Sequence, residues 1–270
     1  MIDASLSVAS TTKKAVSPRA TPLFLASTIW RNRYLIVNLT KREVVGRYRG
    51  SAMGLIWSML NPVLMLAVYT FVFSVVFQSR WSGGISSKVE FALILFAGLI
   101  VYTLFSECFI RSSDLITSNV NYVKRVVFPI EVLPVVVLGT ALFHASISFF
   151  VWLGFYIIFI GVPSSGILLI PIALTPLLLM ILGLSWIMAS LGVFLRDVSQ
   201  VAMIFNMILM FLSPIFYPLS ALPEKYQTIV LASPVAFAIE QVRSLMIWGH
   251  GMAWLGWAIQ IVTGLLVASF

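Results

Sequence analysis

An all-α protein built into a lipid bilayer is expected from this sequence, on three observations. Apolar residues fill 60% of its 270 positions and charged residues only 10%, where an ordinary soluble domain carries about 25% charged. The apolar residues gather into six runs of membrane-crossing length. The basic residues gather in the connections, with strong alternation between one side and the other. A chain this apolar cannot cover its surface in water, so a bilayer is the solvent that fits. Mean hydropathy is +1.04.

Residues 1–28 form a Ser/Thr/Ala-rich segment with Lys13, Lys14 and Arg19, the composition of a flexible cytoplasmic tail. No apolar core precedes a cleavage site there, so no cleavable leader is expected. Residues 29–50 read as an amphipathic helix lying at the membrane interface. At 100° per residue Trp30, Tyr34, Val37, Val44, Val45 and Tyr48 share one broad stripe. Arg31, Arg42 and Arg49 fall within about 20° of each other beside it. Rings in lipid and guanidiniums on headgroup phosphate, with Arg47 added, would hold such a helix on the inner leaflet. Lys41 sits inside the stripe and must snorkel, while Leu35 and Leu39 point the other way, toward a protein surface. A plain positive-inside anchor is the simpler alternative.

Residues 51–270 then form a six-helix transmembrane domain. A span needs about 20 apolar residues, which places the six at 54–77, 91–110, 132–160, 167–195, 201–217 and 253–270. Asn61-Pro62 lies inside the first: Pro62 removes one helix hydrogen bond, and Asn61 needs a polar partner. With the N-terminus cytoplasmic, the inner segments hold Lys13, Lys14, Arg19, Arg31, Arg33, Lys41, Arg42, Arg47, Arg49, Arg111, Lys124, Arg125 and Arg196. The outer segments hold only Arg80, Lys88, Lys225 and Arg243. That asymmetry fixes the orientation and, with six spans, puts the C-terminus in the cytoplasm as well. It also explains the net charge of +8 as membrane topology rather than a nucleic-acid footprint.

Three connecting segments carry more than a plain loop. After the second span, Ser112 or Ser113 is placed to cap a short helix, with Asp114 in its first turn, Lys124 and Arg125 at its end and Pro129 stopping it. Between the fourth and fifth spans, Arg196 and Asp197 are adjacent in a tight turn. Before the sixth, two helix-sized pieces, Glu224–Ala232 and Val235–Ile247, are broken by Ser233-Pro234. Each is too short to cross, so both are expected as re-entrant or interfacial outer helices.

Several chemistries are excluded. The phosphate loop G-x-x-x-x-G-K-[ST] does not occur. The two histidines, His144 and His250, are far apart and Cys108 is the one cysteine, so neither a metal site nor an intramolecular disulfide is expected. "GLSW" at Gly183–Trp186 lacks the second glycine of an intramembrane serine nucleophile. Glu107 and His144 are the only buried ionisable candidates, and no spacing pairs them. Two soft stripes do repeat. Tyr69, Phe73 and Phe77 lie at i, i+4, i+8 on the first span, and Met203, Met207 and Met210 on the fifth. Helix packing is one reading of them. The other is a conduit wall, where aromatic faces meet the C–H faces of sugars and flexible methionines yield to varied shapes.

Four stretches in order, "KREVVGRYRGSAMGLIWSMLNP" (Lys41–Pro62), "FPIEVLP" (Phe128–Pro134), "FLRDVSQV" (Phe194–Val201) and "SPIFYPLSALP" (Ser213–Pro223), carry a resemblance. The chain resembles the permease subunits of type-2 ABC exporters, especially the Wzm-like subunits that export lipid-linked polysaccharides such as O antigen across the bacterial inner membrane. The resemblance implies a non-enzymatic homodimer with two copies of a cytoplasmic ATP-binding subunit, which holds ATP and magnesium; this chain then needs no cofactor and meets no nucleic acid. It implies lipid contact for the interface helix, and ATPase coupling through the loop carrying Asp114, Asn119, Tyr122 and Arg125 and the turn Arg196-Asp197. It implies an outer gate around Pro223, Tyr226 and Pro234. Teichoic acid, capsule or a small amphiphile remain alternative cargoes; a membrane scaffold or intramembrane enzyme is the remoter reading.

Overall fold

In a computed structural model, residues 22–54, 56–72, 88–123 and 128–269 are described. Expectations placed on the tail before residue 22, on Phe73 and Phe77 and on Lys124 and Arg125 lie outside these residues. The described residues are mostly helical, with no strand among them.

Two helices open the chain, α1 (Pro22–Arg31) and α2 (Arg33–Tyr48). They cover the expected interface helix but begin earlier, with Pro22 at a first-turn position that needs no N–H. They part at Asn32, whose side-chain amide donates to the Thr28 carbonyl at 2.8 Å, a local bond that competes with the helix ladder. Trp30, Tyr34, Val37 and Val45 are exposed and Val44 is buried. Leu35 and Leu39 are half-buried, on a helix that packs against α7.

Helix α3 (Ile56–Phe71) continues through Pro62. Helix α4 (Lys88–Ser113) is the hub: its apolar stretch is 78% buried, and it packs on α3, α7, α8, α9 and α11. Two single turns follow, α5 (Leu115–Ser118) and α6 (Val120–Val123). They replace the one capped helix expected from sequence. Ser112 and Ser113 do not cap it; their hydroxyls donate backward to the carbonyls of Cys108 (2.6 Å) and Ile110 (2.7 Å), so α4 runs on through them.

Helices α7 (Leu133–Phe159) and α8 (Ile170–Phe194) are joined through one 3₁₀ turn, Ser165–Leu169. Trp152 of α7 is fully buried, and its indole N–H donates to the Leu93 carbonyl of α4 at 2.9 Å. A buried indole with a partner keeps its packing gain without stranding a donor. After the turn Leu195–Asp197 comes α9 (Val198–Leu212), which ends before Ser213-Pro214, five residues short of the expected boundary at 217. Proline supplies no N–H there, and the chain turns.

Helices α10 (Glu224–Ala232) and α11 (Pro234–Arg243) match the two expected pieces, with one π-type turn, Ser244–Trp248, extending the second. They meet at 103°. The final helix α12 (Trp254–Ala268) lies along α8, its most extensive partner. Among the described residues three helical stretches are long and apolar enough to cross a bilayer, 89–113, 130–159 and 165–194, and the bent pair makes a fourth if it counts as one span. The apolar helices α3, α9 and α12 are shorter.

Candidate functional site

The charged residues that the sequence scatters over a hundred positions meet at one end of the bundle. Glu107, near the end of α4, is their centre. Its Oε1 accepts from Arg47 Nη1 at 2.5 Å and from Arg111 Nη1 at 3.4 Å. Its Oε2 lies 2.9 Å from His144 Nδ1 on α7. Arg111 also pairs with Glu43 of α2. Glu107 and His144 keep only 17% and 18% of their side chains exposed, while Arg47 keeps 51%. Two acids therefore hold two arginines and an imidazole across α2, α4 and α7. A partly buried charge needs such compensation, since its desolvation is otherwise unrecovered.

Tyr48 completes the group, its hydroxyl 3.3 Å from His144 Nε2. Burial pushes the Tyr48 phenol above its ordinary range, against the lowering effect of Arg47 and with a smaller raising one from Glu107. The Tyr48 hydroxyl and the Glu107 carboxylate thus meet the two ring nitrogens of His144 from either side, with Arg47 Nη1 also 3.2 Å from Nδ1. Glu107 and His144 stand out in the sequence as buried ionisable residues but not as a pair; they are 37 positions apart, and helical periodicity within one span says nothing about which residue of the next it meets.

One turn earlier on α2, Arg42 donates to the Tyr122 hydroxyl on α6, and its guanidinium sits 5.3 Å from that ring's centre. Tyr122 in turn packs on Phe128 with ring centres 5.1 Å apart. The interface helix is thus tied to the loop after α4 by a hydrogen bond and a cation–π contact. A double-mutant cycle of Arg42→Ala and Tyr122→Ala, read by thermal stability, is expected to show coupling of about 1 kcal/mol.

Two cavities flank this junction. The first, about 490 Å³, is walled by α3, α4 and α7 and includes Arg47, Tyr48, Asn61, Tyr69, Glu107 and His144. Asn61, the polar residue inside the expected first span, faces it. The second, about 570 Å³, lies between α2 and the short turns and is lined by Arg42, Glu43, Arg111, Asp114, Asn119 and Tyr122.

The remaining sequence candidates are distributed as follows. Arg31 and Arg49 are exposed and hold no ion pair among the described residues. Arg196 and Asp197 are exposed in the α8–α9 turn. Tyr69 lines the first cavity, whereas Met203 and Met207 are exposed on α9 and Met210 is half-buried against the core. At the other end Pro223 precedes α10, Tyr226 is exposed, and Pro234 begins α11 at the bend.

Residues 34–247, from α2 through the bent pair, match the family model described as ABC-2 type transporter. The chain belongs to the ABC-2 type transporter family. This transporter chain is 29% identical over 222 residues to the O-antigen export system permease protein RfbA of Myxococcus xanthus, covering 82% of its own length and 81% of the relative. It is 27% identical over 216 residues to the protein of the same name from Klebsiella pneumoniae, at 80% and 81% coverage. It is 23% identical over 212 residues to the polysialic acid transport protein KpsM of Escherichia coli, at 77% and 80%. As an ABC-2 transporter chain with long apolar helices, it is a multi-pass membrane protein, and the family is one of transport permeases rather than enzymes.

Proposed function

We propose that this chain is the membrane-spanning subunit of an ATP-driven exporter that moves a lipid-linked polysaccharide, O antigen on an undecaprenyl-type carrier, across the bacterial inner membrane. The observation that carries the reading is the family match over 34–247, with relatives named for O-antigen export covering four-fifths of the chain. The chain's own chemistry agrees, since it contains no phosphate loop. The energy comes from a separate subunit, which holds ATP and magnesium.

In this reading α3, α4, α7, α8, α9 and α12 are the six spans, the basic end faces the cytoplasm with both termini, and the bent pair α10–α11 is the outer gate. Two copies surround a conduit, and two ATP-binding subunits press on the basic end. Asp114, Asn119, Tyr122, Arg196 and Asp197 receive that push. The Arg42–Tyr122 tie and the Glu107 junction pass it to the interface helix and to the wall of the first cavity. Arg31 and Arg49 reach lipid headgroups; Arg42 and Arg47 serve the same helix through protein contacts. Tyr69 and the methionines of α9 offer soft, repeated surfaces to a sliding polymer. The more distant relative named for polysialic acid transport supports a capsule polysaccharide as the second cargo.

The test combines two charge reversals, Arg42→Glu and Arg49→Glu. Membrane insertion is expected to persist, because the six apolar runs are untouched, and surface polysaccharide is expected to vanish. Unchanged surface polysaccharide would remove the interface role. In a strain lacking the chain, accumulated carrier-linked O antigen supports the first cargo, and accumulated capsule polymer replaces it with the second.

A further inference from the structure

By its place in the sequence Arg243 belongs to the charges of the outer segments, where a solvated side chain would be ordinary. The structure puts it elsewhere: its side chain is 0% exposed. Its guanidinium sits where α4, α11 and the end of α9 converge. Nε donates to the Ile94 carbonyl of α4 at 3.0 Å, and Nη2 to the Ile215 carbonyl at 2.7 Å. Nη1 donates to the Pro214 carbonyl and, at 3.0 Å, to Glu240 one turn back on α11.

The need for such a donor is local. Helix α9 ends at Leu212, and the turn Ser213-Pro214-Ile215 leaves carbonyls that no following helical turn bonds, in a stretch buried at Ser213 and Ile215. Non-helical backbone at this depth is tolerated only where protein satisfies it. One planar fork meeting several carbonyls is what arginine supplies and lysine does not. Room for the fork comes from Gly98, on α4 one turn beyond Ile94. A Cβ at Gly98 would lie 2.6 Å from Nη2 and 3.0 Å from Cζ, so the guanidinium would have to yield.

We propose that Arg243, seated on Gly98, is a positioning residue that latches α11, the second arm of the bent pair, to α4 and to the turn after α9. That end of the molecule then moves as one body when the opposite end is pushed. The role in export rests on the reading given above, with this end facing outward; the latch itself does not.

The experiment uses the purified permease with its ATP-binding partner, in wild-type form and as Gly98→Ala, Arg243→Lys and Arg243→Gln. Gly98→Ala is the mild variant, because it keeps the arginine and only displaces it. Amide hydrogen exchange at residues 213–217 and 234–248 is expected to rise about tenfold in Gly98→Ala and Arg243→Gln, as expected when a charge-assisted bond is lost, and less in Arg243→Lys. Exchange at residues 133–145, at the other end, stays at the wild-type rate. In proteoliposomes carrying carrier-linked polysaccharide, ATP hydrolysis stays within about twofold while polymer moved per ATP falls about tenfold. Wild-type exchange in Gly98→Ala and Arg243→Gln overturns the latch, as does an equal loss of hydrolysis and export. If no variant, wild type included, moves polysaccharide yet the exchange pattern changes as described, the cargo reading fails and the latch stands.

Discussion

Glu107→Ala is expected to cost the protein about 3 kcal/mol and to stop export. Removing one carboxylate leaves Arg47, Arg111 and the His144 imidazole directed at the same emptied space, and only Glu43, paired with Arg111, remains to balance the two arginines. Truncating the centre of a partly buried ion-pair group is more costly than the pair's net contribution, because Arg111 stays partly desolvated, while the half-exposed Arg47 turns to water. Glu107→Gln keeps the shape and two hydrogen-bonding atoms but loses the charge, so its cost is expected to be about half. Thermal unfolding of the purified chain reads the first effect. The second follows from position: the junction ties the interface helix to α4 and α7 and forms part of the first cavity wall. A cycle with His144→Ala separates the contributions, and non-additivity of about 1 kcal/mol or more is expected for groups at 2.9 Å.

Gly183→Leu is expected to detach the last helix. A Cβ on Gly183 would lie 2.7 Å from both the Ala268 nitrogen and the Val267 carbonyl carbon. These are backbone atoms, which cannot swing aside as a side chain would. On the facing helix a Cβ on Gly264 would lie 3.0 Å from the Pro176 carbonyl oxygen, so glycines on both sides let α8 and α12 approach. Small residues at a crossing are the usual means of close helix packing in lipid, where no hydrophobic gain drives association. Overpacking costs about 1–3 kcal/mol per inserted group where the structure can shift; here the shift must move a helix. The expected result is a lower unfolding temperature for Gly183→Ala and protease access near residues 250–253 for Gly183→Leu. Gly192, whose added Cβ would collide with the Ser113 carbonyl, is expected to be equally intolerant near the C-terminal end of α8.

What the sequence made legible, and what it did not, divides along a physical line. The ends of α10 and the start of α11 follow from Pro223 and Ser233-Pro234, because proline acts on its own neighbours. The three longest apolar helices follow from composition alone. The loop after α4 was readable as short helix but not as two turns, since Ser112 and Ser113 could bond forward as caps or backward to α4, and only the packed structure selects. The site was least legible. Glu43, Glu107, Arg111 and His144 lie on three helices, and a single sequence gives each helix its faces without saying which faces meet. Arg243 shows the same limit more sharply: its spacing marks it as an outer charge, while its burial depends on a turn at Ser213-Pro214 some thirty residues earlier and on a glycine in α4.

The reading of this chain as a conduit driven by another subunit is tested most directly by reconstitution. The purified chain is placed in liposomes with carrier-linked O-antigen polysaccharide, alone and together with its ATP-binding subunit, and polymer reaching the far leaflet is measured alongside phosphate release. Polymer movement and ATP hydrolysis are expected only when both subunits and ATP-Mg are present. Hydrolysis by this chain alone, or polymer crossing without the partner, would contradict the reading.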